Sequence, residues 1–180
     1  RNYIIENTDA YIHPYATLDV YRFLHSTTPK NSYIIEHPIN HKLIQKKYNV
    51  EKSNIIFNYQ KKVDNRKSTT NDVIIDLQIA NYTGGRGLQP FIDGWKESRY
   101  MLSTDMFPMG GIQSVQCAVL NTIMVGGNND NHKILFPKLV GNDVDFLISK
   151  INQLESDLEY RKKIQSYAYD KCISIFSYDA

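Results

Sequence analysis

The sequence predicts an α/β fold: a parallel sheet flanked by helices, closed by two C-terminal helices. Three observations carry this. From Asp9 onward, short apolar runs alternate with amphipathic stretches, the pattern of strands covered by helices. Glycine clusters follow several of the apolar runs, at Gly84-Gly85-Arg86-Gly87, Gly110-Gly111 and Gly126-Gly127. Beyond Pro137, Val144, Leu147, Ile148, Ile151 and Leu154 recur at helical spacing, and Leu158 to Phe176 continues as a second helix.

The elements follow in order. Ala10 to His13 is a strand, and Leu18, Tyr21, Phe23 and Leu24 give a helix-like face ended by Pro29. Tyr33 to Glu36 is a strand closed by His37-Pro38, Lys42 to Tyr48 a short helix, and Asn54 to Asn58 a further strand. Gln60 to Asn71 holds mostly Lys, Asn, Ser and Thr and predicts an exposed loop. Asp72 to Ile79 has the continuous apolar character of a buried strand; the glycine turn at 83–87 and a helix over Leu88 to Glu97 follow, with Pro90 in the first turn. Arg99 to Ser103 returns as a strand. Asp105 to Gly111 is a loop, Ile112 to Leu120 a helix, Thr122 to Val125 a β-branched strand, and Gly126 to Lys133 a polar loop.

Composition narrows the function classes. Lysine and arginine total 21 against 19 acids, so a net charge of +2 gives no large field for nucleic acid or an anionic membrane. No apolar run approaches the roughly 20 residues that span a bilayer, so a soluble, cytoplasmic protein without a transmembrane segment is expected. Cys117 and Cys172 fall inside helices without paired spacing and are expected to be reduced and buried. No histidine or carboxylate pair has metal-ligand spacing, so no tightly bound metal is expected. The chain opens at Arg1 and runs at once into an apolar segment, from which an upstream portion is expected.

Chemistry concentrates at Asp105-Met106-Phe107-Pro108-Met109-Gly110-Gly111-Ile112-Gln113-Ser114-Val115-Gln116. A glycine pair at a helix mouth lets a ligand approach the backbone, and the unpaired amides of the first turn then favour an anion. Gln113 and Ser114 add neutral donors suited to diphosphate oxygens, and Gln116, about one turn on, can reach a ribose or sugar hydroxyl. By itself a glycine pair is a weak signal, equally an ordinary strand-to-helix loop.

In context, Asp105 to Val125, with Phe136-Pro137, Asp143, Leu147, Ile151, Leu154, Asp157, Arg161, Ala168 and Phe176-Ser177, resembles the C-terminal domain of glycosyltransferases with the GT-B fold. The resemblance covers roughly the last 80 residues and implies a Rossmann-like half of a two-domain enzyme. Residues 41–180 would form the nucleotide-sugar-binding domain, and 1–40 the end of a preceding domain or the inter-domain crossing, with His37-Pro38 in it.

The resemblance further implies that Gly110 and Gly111 border the phosphate loop and that Gln113 and Ser114 contact the diphosphate. Gln116 falls where the family often places a ribose-binding glutamate. Asn121 and Ile123 stand where Gly and Pro are common. Arg86 would neutralise the donor diphosphate, as guanidinium binds phosphate oxygens bidentately, or be a solvent-exposed residue on a turn. The implied function is metal-independent and cofactor-free: transfer of a sugar from a nucleotide-diphosphate sugar to the hydroxyl of an unidentified acceptor, with the missing N-terminal domain as partner. Two rival readings stay open, a non-catalytic α/β interaction module with a degenerate nucleotide site and a sugar-nucleotide epimerase or hydrolase of the same fold. His132 and Asp130 lie in the polar loop Gly126 to Lys133, which is expected to face the same sheet edge as the phosphate loop and to contact the acceptor or donor sugar.

Overall fold

A computed structural model describes residues 11–14, 32–35, 39–59, 80–81, 92–103 and 112–177. Strands β1 (Tyr11–Pro14) and β2 (Ser32–Ile35) pair in parallel as a two-stranded sheet. Helix α1 (His41–Tyr48) leads into β3 (Ser53–Tyr59), followed by β4 (Ala80–Asn81), β5 (Ser98–Ser103), α2 (Ile112–Val119), β6 (Ile123–Gly126), α3 (Asp130–Leu135), α4 (Val144–Ser156) and α5 (Leu158–Phe176). The second sheet is wholly parallel, in the order β4-β3-β5-β6. The fold is therefore the α/β arrangement expected, with two long helices closing the chain.

β5 is an interior strand and β6 the last strand of this sheet, yet both are buried on their two faces and so lack polar alternation. Tyr100, Met101, Leu102 and Ser103 are all buried, as are Ile123, Met124, Val125 and Gly126. Beyond β6 the sheet edge is covered: the Gly126 amide donates to Leu139 O at 2.8 Å, and Gly127 forms an antiparallel bridge with Gly141. Helix α2 packs on β6, α3 and α5, and α4 packs on β6 and α5. Leu147, Ile151 and Leu154 of α4 and Ile164, Ala168, Cys172 and Phe176 of α5 turn inward at helical spacing.

Helix boundaries follow side-chain chemistry. Asn40, Asn129, Asp143 and Asp157 each precede a helix, and each side-chain oxygen accepts the amide three residues on, at 2.9, 2.7, 3.1 and 2.8 Å. Helix α2 ends in a paired motif: Thr122 N donates to Cys117 O at 2.9 Å and Asn121 N to Ala118 O at 3.4 Å, with Asn121 at φ 55°. Asparagine tolerates this left-handed conformation better than other residues with a Cβ, so it fills the position where glycine is usual.

The amino-terminal end of the sheet is clamped by Lys52. Its ammonium donates to Lys96 O at 2.5 Å and to Thr122 Oγ1 at 2.9 Å, and Thr122 Oγ1 donates to Ser98 O at 3.0 Å. The starts of β3, β5 and β6 are thereby joined. Burial lowers the Lys52 pKa to about 8, with the nearby Cys117 acting the other way.

Candidate functional site

The carboxyl ends of β3, β5 and β6 lie at one edge: Tyr59 is level with Ser103, and Ser103 with Gly126. After β3 the chain moves to β4 on one side, and β5 then lies on the other side of β3. Such a reversal leaves a crevice beyond the strand ends, the place where open α/β sheets bind ligands. The segments 60–79 and 104–111 leave β3 and β5 at this edge and lie outside the described residues.

Beside that crevice the backbone is bare by necessity. Gly126 and Gly127 have φ of 90° and 75°, and a Cβ on Gly126 would stand 2.4 Å from Ser103 O. A Cβ on Gly127 would stand 2.9 Å from Ser103 Oγ. The loop is held from behind, since the Gly127 amide donates to Asn142 Oδ1 at 2.8 Å.

Helix α2 begins on this side of the sheet. Gln113 is half-buried at its second position. Ser114 is fully buried, with its hydroxyl 3.2 Å from Met124 Sδ and 3.4 Å from Asn129 Oδ1. The Ser114 side chain is thus a strut between α2 and the segment after β6, and what the residue can offer at the helix mouth is its backbone amide. Gln116 is 5% exposed, and its Oε1 is buried without a hydrogen-bond partner. A buried amide oxygen left unsatisfied costs about 1–3 kcal/mol in the free protein.

The polar stretch after β6 is a helix rather than a loop. Asn129 caps α3, and its side chain also neighbours Ser114. His132 is fully buried, 3.2 Å through Nε2 from Leu139 O, and packs on the Phe136 ring. Burial lowers its pKa to about 4, with the Leu139 carbonyl acting against the shift. His132 is therefore a neutral core residue and not a group facing substrate. Asp130 pairs with Lys133 at 3.3 Å across one helical turn. Asn131, 2% exposed, has neither side-chain nitrogen nor oxygen partnered, and His132 Nδ1 is likewise unpaired. Asn131 is inconspicuous in the sequence because six polar residues in succession, Asn128 to Lys133, look like a loop; the available signal is an asparagine cap followed by Asp130 and the apolar pair Ile134-Leu135.

Of the residues singled out from sequence, Gln113, Ser114 and Gln116 are brought together on α2. Arg86, Gly110 and Gly111 lie outside the described residues, as do Asp105 and the 83–87 turn. Both cysteines are free and buried; burial pushes the Cys117 thiol up and takes Cys172 to about 12. Among the described residues no cluster of histidine, cysteine or carboxylate could hold a metal, and no helix is long and apolar enough to cross a membrane.

A scan against protein-family models finds no match, and no curated protein matches significantly. Among solved structures, sucrose-phosphate synthase from Thermosynechococcus elongatus superposes with a TM-score of 0.70 at 11% sequence identity. The likeness covers 98% of this chain and 56% of the synthase, so the chain spans little more than half of that protein's length. The chain has a glycosyltransferase-like fold.

Proposed function

We propose that the chain is the nucleotide-binding half of a metal-independent glycosyltransferase, taking a nucleotide-diphosphate sugar at the carboxyl edge of β3, β5 and β6. The observation that carries this is the unpartnered Gln116 Oε1, buried on the helix that rises beside the strand-order reversal. In this reading Gln116 accepts a ribose hydroxyl. The diphosphate lies at the mouth of α2. Asn or Asp side chains cap α1, α3, α4 and α5, whereas the residue before α2 is Gly111, which has no side-chain oxygen to offer. Its first-turn amides suit an anion instead. Gly110 and Gly111 give close approach, Gln113 donates, and Arg86 adds charge as the diphosphate departs. The acceptor hydroxyl would be activated from the other half of the enzyme.

Calorimetric titration with a panel of nucleoside diphosphates and their sugar conjugates tests this, using Gly111→Asp and Gln116→Met. Saturable binding is expected. Gly111→Asp removes it by placing a carboxylate where the diphosphate sits. Gln116→Met lowers affinity about tenfold while raising the melting temperature of the free protein, because the unsatisfied oxygen is gone. No binding at millimolar ligand, or binding indifferent to both substitutions, sinks the proposal.

A second reading, a non-catalytic module with a decayed nucleotide site, is favoured by the amide at Gln116 where the resembled family often has a carboxylate. Gln116→Glu separates the two. A large gain in nucleotide affinity indicates decay, and a loss indicates that the glutamine is the working residue.

A further inference from the structure

Along one face of α5, Tyr160, Lys163, Ile164 and Tyr167 recur at one-turn spacing and, with Pro137 and Lys138, line a groove of about 310 Å³. Its floor is apolar. Tyr167 is 42% exposed along the open side, and Ile164 is buried beneath. Neither Lys138 nor Lys163 has a carboxylate within ion-pair distance among the described residues. The neighbouring Lys162 and Lys133 are both paired, to Glu159 and Asp130. No acidic residue lines the groove itself.

A trough with tyrosine walls and two unpaired ammonium groups has the composition of a protein-recognition site: aromatic anchors supply contact area and charges set register and partner choice. We infer that this groove docks an acidic peptide segment of a partner protein, with one apolar side chain between Tyr160 and Tyr167 and carboxylates on Lys138 and Lys163. Charge complementarity decides the occupant. An apolar helix or a second copy of this face would leave both ammonium groups desolvated and unpaired, which is unfavourable. The inference uses none of the residues assigned to donor binding.

Fluorescence anisotropy of the full chain with a labelled hexapeptide of alternating glutamate and leucine tests it, beside its lysine–leucine counterpart. The acidic peptide should bind saturably and more weakly as salt rises. K138E/K163E should weaken it at least about tenfold, each lost charge pair removing an appreciable share of affinity. Tyr167→Ala should weaken it as well. All three side chains are on the surface, so an unchanged melting temperature verifies folding. No saturation at millimolar peptide, equal binding by the basic peptide, or wild-type affinity in K138E/K163E overturns the inference.

Discussion

Lys52 Nζ donates to Thr122 Oγ1 at 2.9 Å, tying the residue that precedes β3 to the residue that precedes β6. Because burial holds the Lys52 pKa at about 8, below its ordinary 10.5, the unfolded chain binds more protons between these values. Its contribution to stability is therefore present in full above pH 10.5 and is lost as pH falls through 8. Cys117 and Tyr100 act oppositely, since burial raises both and their unfolded forms lose protons first. The comparison with Lys52→Met isolates the lysine. Urea unfolding at pH 7 and pH 9.5 should show the wild type gaining on the variant at the higher pH. A gap independent of pH would mean that Lys52 is not desolvated in the folded protein.

His132 gives the same sign in the acid range. Its imidazole is held neutral, with pKa about 4 against 6.5 when free. The stability it contributes is complete above pH 6.5 and falls as pH drops through 4. Between pH 7 and 5 the loss should be about 2 kcal/mol, at 1.36 kcal/mol per pKa unit. His132→Gln, which does not titrate, should lack this part of the acid sensitivity. Parallel pH profiles for the two proteins would show that His132 is already solvated.

Asn121 was legible as a departure from glycine, and the structure shows why it is tolerated: it adopts φ 55° and closes α2, while its carbonyl accepts from Gln165 Nε2 at 2.9 Å. Asn121→Gly should be neutral or slightly stabilising. Asn121→Ala should cost about 1 kcal/mol, because alanine has neither glycine's freedom nor asparagine's local hydrogen bonding in this region. Thermal unfolding of the two variants checks the ordering, and alanine at least as stable as glycine would contradict it.

Much of the fold was visible in sequence because period and burial coincide there. β5 read as a short strand and β6 as a β-branched one, and α4 and α5 read as helices from inward residues three and four apart. α3 was not visible, since its inward face is made of Asn131, His132 and Leu135, and polar side chains hide a buried face. The site was legible to the level of the helix. That Gln113, Ser114 and Gln116 share one helix follows from spacing. That the Ser114 hydroxyl turns inward to Met124 while Gln116 Oε1 is buried and unpaired depends on packing by β6 and α3, which no local pattern records.

The glycine pair after β6 yields the most severe prediction. At Gly126, φ of 90° is already unfavourable for any residue with a Cβ, and the added atom would meet backbone, Ser103 O at 2.4 Å, which cannot rotate away. At Gly127 the nearest atom is Ser103 Oγ at 2.9 Å, the end of a side chain that can turn. Gly126→Ala should therefore cost more than about 3 kcal/mol, combining backbone strain with a steric clash, and Gly127→Ala about 1–2 kcal/mol. Ser103→Ala removes the Oγ that Gly127→Ala would strike, so the double variant Gly127→Ala/Ser103→Ala should recover part of the Gly127 loss. The same serine change should recover none of the Gly126 loss, because the obstructing carbonyl remains. Chemical denaturation of the single and double variants measures both couplings; equal rescue at the two positions would show that β5 and β6 do not approach each other as described at their carboxyl ends.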